Sequence, residues 1–322
     1  MRKAAFLYNP DSGGQRAKRK AELESVLALL RAAGIEVELM LPHSAAEAQE
    51  QAKDSIRRGC DTVLAGGGDG TIHNIVQVLA NTPVALAILP LGTANALAHD
   101  LGLPMNVFKA AQALMQAKQS RIALGRVGYR NLSDNPETRF FVVAAGAGVD
   151  AHLFYKLHTG AKQRMGMAAY YAKAWHLWFT HPMTRFRVEF SEKDSSEKQR
   201  ADVTELLVVR IRNFGGVLQE LAPGASLERN DLRLVLCRTS SRLAYLQYVT
   251  RGLLGRNWRV PGISLAHTDR VSCAYSEGSS SAASISHPRP KVYIETDGEL
   301  VGTLPAEITV VPDALTLLAP AR

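Results

Sequence analysis

The chain is poor in cysteine and has no long apolar run. Its 322 residues hold three cysteines, Cys60, Cys237 and Cys273, too widely spaced for a zinc pattern or a disulfide framework. That usage fits a reducing cytoplasm. No apolar stretch reaches the roughly 18 residues of a spanning helix, and no charged-then-apolar leader opens the sequence, so neither a membrane span nor secretion is expected. Contact with a membrane would then be made from its surface. Internal repeats are absent too. What is present is an ordinary globular mixture, 46% hydrophobic and 21% charged, long enough for two cores, so two domains are expected. A net charge of +8 favours an anionic partner, a description that nucleotide, acidic lipid and nucleic acid all satisfy.

The most informative stretch runs from Val63 to Ile75, VLAGGGDGTIHNI. It reads as a short apolar strand, a turn through Gly66, Gly67 and Gly68, and a helix that begins near Asp69-Gly70-Thr71. Glycine lets the backbone turn sharply and lets N–H groups approach an anion, so the loop suits phosphate. Asp69 would repel bare phosphate; it makes sense beside a divalent cation or as one end of a specific hydrogen bond. Around this loop, strand and helix alternate four times within about the first hundred residues, which predicts a doubly wound parallel sheet. Strands are expected at Lys3–Tyr8, Ile35–Leu41, Asp61–Ala65 and Ala85–Leu89. Three small-polar loops, at 9–14, 66–71 and 90–95, each follow a strand and can converge on one crevice at its carboxyl end. Beyond about Arg121 the pattern changes to short Val-, Phe-, Leu- and Thr-rich runs, among them Arg139–Val143, Arg185–Phe190, Val203–Ile211 and Leu232–Cys237, for which antiparallel pairing is expected. One long helical section is expected over Ala151–Phe179, a hairpin tip at Ser191–Arg200, a loop at Glu277–Pro290, and a hairpin turn at Asp297-Gly298.

In order along the chain, Asn9-Pro10 with Ser12-Gly13, Gly67-Gly68-Asp69-Gly70-Thr71, Leu91-Gly92-Thr93-Ala94-Asn95, Gly146-Ala147-Gly148-Val149-Asp150-Ala151 and Asp297-Gly298-Glu299 resemble the bacterial lipid kinases of the diacylglycerol kinase and sphingosine kinase superfamily. The resemblance spans nearly the whole chain. It implies a nucleotide-binding α/β domain over residues 1–120 and a β-sandwich-like lipid-substrate domain over 121–311, with a tail at 312–322 that packs back on the first. It also implies transfer of the γ-phosphoryl group of ATP to a lipid hydroxyl, with Mg2+. Gly66 to Thr71 and Thr93 would hold the nucleotide phosphates, while Asn9, Ser12 and Asn95 would shape the same pocket. Glu299 would act as the base with Asp297 as its close partner, their roles being interchangeable, and Asp69 is the candidate metal ligand.

The chain also departs from the family pattern. Ala96 stands where an acid usually follows the Gly-Thr-x-Asn loop, Ala123 where an acid begins the first strand of the second domain, and Arg229-Asn230 where Asp-Gly is usual. The resemblance associates those acids with magnesium or its water network, so metal placement here differs; Glu228 or Asp231 are the candidate substitutes. His73-Asn74 replaces the usual Asn-Glu, and Leu41-Pro42-His43-Ser44 lacks the threonine expected after the second strand. For membrane contact, Lys162–Phe179 and Arg251–Arg259 combine bases with Trp, Tyr or Leu, although packing between domains explains such aromatics equally well. The leading expectation is a cytoplasmic lipid kinase, peripherally membrane-associated, binding a diacylglycerol-like or sphingoid-like lipid alcohol and no nucleic acid, and compatible with a homodimer. The alternatives are an NAD kinase, which shares the Gly-Gly-Asp-Gly-Thr loop, and a non-catalytic nucleotide- or lipid-binding relative, motivated by Ala96, Ala123 and Arg229.

Overall fold

The computed structural model describes residues 1–9, 16–149, 151, 180, 183–193, 195, 197–215, 220–256, 258–276 and 290–320. Four strands, β1 (Lys3–Tyr8), β2 (Glu36–Met40), β3 (Thr62–Gly67) and β4 (Ala85–Pro90), pair in parallel in the order β2-β1-β3-β4. Every residue of β3 and β4 is buried, as in a sheet covered on both faces. The crossovers are α1 (Arg16–Ala32), α2 (Ala45–Arg57) and α3 (Asp69–Leu79). Gly34 and Gly59 follow α1 and α2 at φ +76° and +75°, a left-handed helix end that residues with a Cβ resist. Ser44 caps α2 by accepting the Glu47 N–H, while the Glu47 carboxylate accepts the N–H of His43. Two short helices follow, α4 (Ala96–Asp100) and α5 (Val107–Met115).

The remaining strands are antiparallel partners: β5 (Lys118–Arg130), β6 (Pro136–Phe141), β7 (Ala144–Gly148), β8 (Phe186–Ser191), β9 (Lys198–Val203), β10 (Glu205–Val209), β11 (Leu232–Cys237), β12 (Ile263–Thr268), β13 (Arg270–Tyr275) and β14 (Tyr293–Thr296). The last strand, β15 (Glu299–Ala319), pairs antiparallel with β14, β13 and β5, and its end lies parallel to β4 at Thr316 and Leu317. One strand thus belongs to both halves of the molecule. The helix α6 (Arg242–Leu253) lies between β11 and β12. The fold is a mixed sheet with parallel N-terminal strands joined to a C-terminal antiparallel β-sandwich domain.

Two cores result. The first fills the α/β layers and reaches Val209, Val235, Tyr245 and Tyr248; the second gathers Phe186, Val188, Phe190, Leu206, Val208, Leu234 and Ile294 inside the sandwich. Because strand side chains alternate between faces, β10 sends Leu206 and Val208 to one core and Val209 to the other.

The run expected as one strand over Val203–Ile211 is two. β9 pairs with β8, β10 pairs with β7 and β11, and the chain passes from one layer to the other at Thr204. The fully buried Thr204 holds this corner: its hydroxyl lies 2.6 Å from the Thr239 carbonyl and 2.7 Å from the Tyr245 hydroxyl. Composition alone cannot show such a corner, since both strands are apolar. The Asp297-Gly298 turn is present, with φ of 49° and 83°, the two positive values of a type I′ turn. The expected helical section over 152–179, including the Lys162–Phe179 segment, and the loop over 277–289 lie outside the described residues. Thr204→Val should leave the Tyr245 hydroxyl buried without its partner and cost about 1–3 kcal/mol, read as a lower urea midpoint at unchanged m-value.

Candidate active site

The glycine loop is built by close packing of two turns. A Cβ on Gly92 would lie 2.4 Å from the Gly68 Cα, and one on Gly67 would lie 2.4 Å from the Thr71 hydroxyl, so no larger residue fits at either point. The Leu91 N–H donates to the Gly67 carbonyl at 3.1 Å, which seats the second loop against the first. Gly68 caps α3 without a side chain, leaving the first N–H groups of that helix open to an anion.

Asp69 opens α3 but turns away from solvent. Its carboxylate accepts the Ala96 N–H at 2.9 Å and also the N–H of Asn95, so it caps α4. Burial raises its carboxyl pKa, the N–H donors counteract this, and the charge of Asp297 raises it further. Of the two roles that the sequence allows this acid, the specific hydrogen bond is the one the described residues supply. Among them no group of three or more His, Cys, Asp or Glu is placed to hold a metal. Asn95 stands in the left-handed region at φ 50° and closes on Gly92, accepting its N–H and donating to its carbonyl, both at 2.9 Å. Its amide is spent on loop shape. Thr93 beside it is exposed.

Across the loop stands the β14–β15 turn. The Asp297 side chain is 2% exposed; its Oδ1 accepts the N–H of Val143 and Ala144 at 2.8 and 3.1 Å, and its Oδ2 accepts the N–H of Val142 at 3.1 Å. The buried His73 of α3 completes the shell, its Nδ1 3.2 Å from Oδ2. One turn further along α3, Gln77 exchanges two hydrogen bonds with the Phe140 backbone, at 2.8 and 2.9 Å. The helix that starts at the glycine loop is therefore pinned to the second half of the molecule at two points. That fixes Glu299: its Oε1 lies 3.0 Å from where a Cβ on Gly70 would stand.

A cleft of about 370 Å³ results, lined by Asn9, Gly68, Gly70, Thr71, Asn74 and Glu299, with residues 42–45 along one side. Asn9 donates its N–H to the Gly66 carbonyl, and its amide lies 3.5 Å from the Thr71 hydroxyl. Thr93 and Asn95 instead line a second hollow, of about 600 Å³, together with Gly92 and His99. Of the residues singled out in the sequence, Asn9, Gly68, Gly70, Thr71 and Glu299 share one cleft; Gly66 and Gly67 form its support, and Asp69 and Asp297 brace it from behind. Ser12 lies outside the described residues. Sequence reasoning passed over Gln77, whose signal was the His73/Gln77 pair of polar residues four apart on an otherwise apolar face of α3.

The residues that stand in place of the expected acids do not fit a magnesium ion. Ala123, where an acid is usual, is fully buried, and its carbonyl accepts from the guanidinium of Arg210 at 2.9 Å. The same guanidinium bonds the carbonyls of Arg229 at 2.7 Å, Leu227 at 3.5 Å and Asp231. Arg210 is 1% exposed, and burial pulls its pKa down to about 10. A side-chain cation thus sits among the main-chain oxygens at two of the three altered positions. The Asp231 carboxylate is itself taken by Arg229, Lys193 and His267, whose charges more than offset its burial and hold its pKa to about 2. Removing metal should therefore leave the fold intact: dialysis against EDTA is expected to move the Tm by less than about 2 °C. Arg210→Met, which strands four carbonyls, three of them buried, should cost about 3 kcal/mol or more.

Comparisons with known proteins cover nearly the whole chain. Residues 3–127 match the diacylglycerol kinase catalytic domain, and residues 143–319 match the YegS C-terminal NAD kinase beta sandwich-like domain. The chain is 28% identical to a diacylglycerol kinase of Bacillus subtilis over 311 residues, covering 95% of this chain and 93% of the relative. It is 29% identical to a diacylglycerol kinase of Mycobacterium tuberculosis over 321 residues, covering 99% and 95%. Among solved structures it resembles a diacylglycerol kinase of Bacillus anthracis with a TM-score of 0.69 at 16% identity, over 98% of this chain and 96% of that one. It also resembles the fold of yeast NADH kinase, with a TM-score of 0.52 at 12% identity, over 99% and 84%. The chain belongs to the bacterial diacylglycerol kinase family of lipid kinases.

Proposed function

We propose that this enzyme transfers the γ-phosphoryl group of ATP to the hydroxyl of a lipid alcohol, diacylglycerol-like or sphingoid-like, presented at a membrane surface. The observation that carries this reading is the carboxylate of Glu299 held over Gly70, at the helix N-terminus where phosphate would rest. ATP enters as its magnesium complex, so the metal comes with the substrate and offsets phosphate charge. The open N–H groups at the start of α3, with Thr71 and Asn9, would bind the phosphates in the cleft. Thr93, on the neighbouring loop, would reach them from the other side of the Gly68–Gly92 contact.

Glu299 would accept the proton of the lipid hydroxyl as its oxygen attacks the γ-phosphorus, while the bond to the bridging oxygen breaks and ADP leaves. Asp297 serves as a positioning residue: its oxygens already accept three main-chain N–H groups and face His73, so no site remains for a substrate proton. Asp69 likewise acts through the backbone, by holding the second loop in place. Among the described residues no helix is long and apolar enough to cross a membrane.

Glu299→Gln is expected to lower kcat by about 10²–10⁴-fold while leaving ATP affinity unchanged by calorimetry; unaltered turnover would rule out its role as base. Asp297→Asn should instead lower the Tm by several degrees and reduce kcat only through the displaced turn. Labelled ATP offered with diacylglycerol, sphingoid, phosphatidylglycerol, polyprenol and NAD acceptors separates the lipid-kinase reading from NAD kinase, and from a binding protein that phosphorylates none of them.

A further inference from the structure

The helix α6 is apolar on both sides. Its inner face, Ala244, Tyr245, Tyr248 and Gly252, is buried against the first core and the 220–222 segment, where the Tyr248 hydroxyl donates to the Leu221 carbonyl at 2.6 Å. Its outer face carries Leu243, Leu246, Val249 and Leu253, continued by Leu254, with exposures from 40% to 64%. These five are most of the eight large apolar side chains that stand exposed among the described residues. A surface helix that leaves five large apolar side chains exposed, with Gln247 and Thr250 among them, marks a contact site.

The charge around that face says what covers it. From Leu232 to Thr268 the sequence contains no Asp and no Glu, whereas Arg238, Arg242, Arg256 and Arg259 flank the exposed leucines along the chain and Arg251 is buried against the Tyr248 ring. Trp258, partly buried against the core just past the helix, adds a residue favoured at the boundary between water and lipid. A leucine face on a helix that carries arginines and no acid of its own, with Glu220 as the neighbouring acid at Gly252, matches an anionic bilayer: side chains enter the acyl boundary and guanidinium groups meet headgroup phosphates. We infer that the outer face of α6, with Arg256, Trp258 and Arg259, is the surface by which this enzyme docks on anionic membrane. The inference rests on the lipid-kinase reading only for its purpose; the surface itself is argued from exposure and charge.

The test uses the full chain and vesicles of phosphatidylglycerol and phosphatidylcholine. Wild type should co-sediment with them at low salt, bind vesicles of phosphatidylcholine alone far less, and be released in part by high salt. Leu246→Glu with Leu253→Glu should lower the bound fraction at least tenfold, and Arg256→Ala with Arg259→Ala should lower it several-fold and flatten the salt dependence. All these side chains are exposed, so the Tm and far-UV circular dichroism should match wild type. Activity on a short-chain diacylglycerol dispersed in detergent should persist in both variants while activity on vesicle-borne lipid falls. Equal vesicle binding by wild type and the leucine variant would overturn the docking surface. A wild-type dimer that becomes a monomer in that variant, with vesicle binding unaltered, would assign the face to a second copy instead. No activity in the detergent assay for wild type would defeat the kinase reading and leave the sedimentation result to decide the docking surface alone.

Discussion

The carboxylate of Asp297 is the interaction on which the rest of the site depends. It stands on a turn between β14 and β15, yet it gathers the main-chain N–H groups of Val142, Val143 and Ala144 and faces His73 of α3. A buried charge costs several kcal/mol unless donors surround it. Here the donors come from separate parts of the chain, so satisfying one carboxylate draws the glycine-loop helix, the entry to β7 and the β14–β15 turn together. Glu299, two residues on, has its place over Gly70 as a consequence. Gln77 repeats the same principle with a neutral amide one turn along α3.

The same logic explains how this chain departs from its family without losing the architecture. Where the family pattern places acids, Ala96 and Ala123 are apolar and buried, and a cluster of main-chain oxygens nearby needs a cation. Arg210 supplies one from within the chain. A guanidinium with several donors can bond carbonyls of two segments at once, and it cannot diffuse away. Asp231, a nearby acid, is paired with the cations of Arg229 and Lys193, faces His267, and so is held in a structural role. Fixed charge thus does the structural work in this region.

Much of the fold was legible in the sequence because its signals are local. The alternation of strand and helix up to Pro90, the glycine stops after α1 and α2, and the Asp297-Gly298 turn all follow from the conformational preferences of a few neighbouring residues. The break at Thr204 was not legible, because a corner between two apolar strands has the same composition as one longer strand. Neither was the outward face of α6: leucine spacing declares a helix, but only packing decides which of two apolar faces is covered.

The sequence by itself determined the phosphate-suited loop at Gly66–Thr71, the parallel sheet that carries it, and the change to antiparallel strands beyond it. These depend on backbone freedom and side-chain period, properties of neighbours in the chain. Only the tertiary structure decided which of the acids faces the cleft. Asp69, Asp297 and Glu299 are alike as residues, but Asp69 spends an oxygen on Ala96, Asp297 spends both on residues more than 150 positions away, and Glu299 faces the cleft. A carboxylate's role is set by the donors around it, and donors brought from distant segments leave no mark on the local sequence.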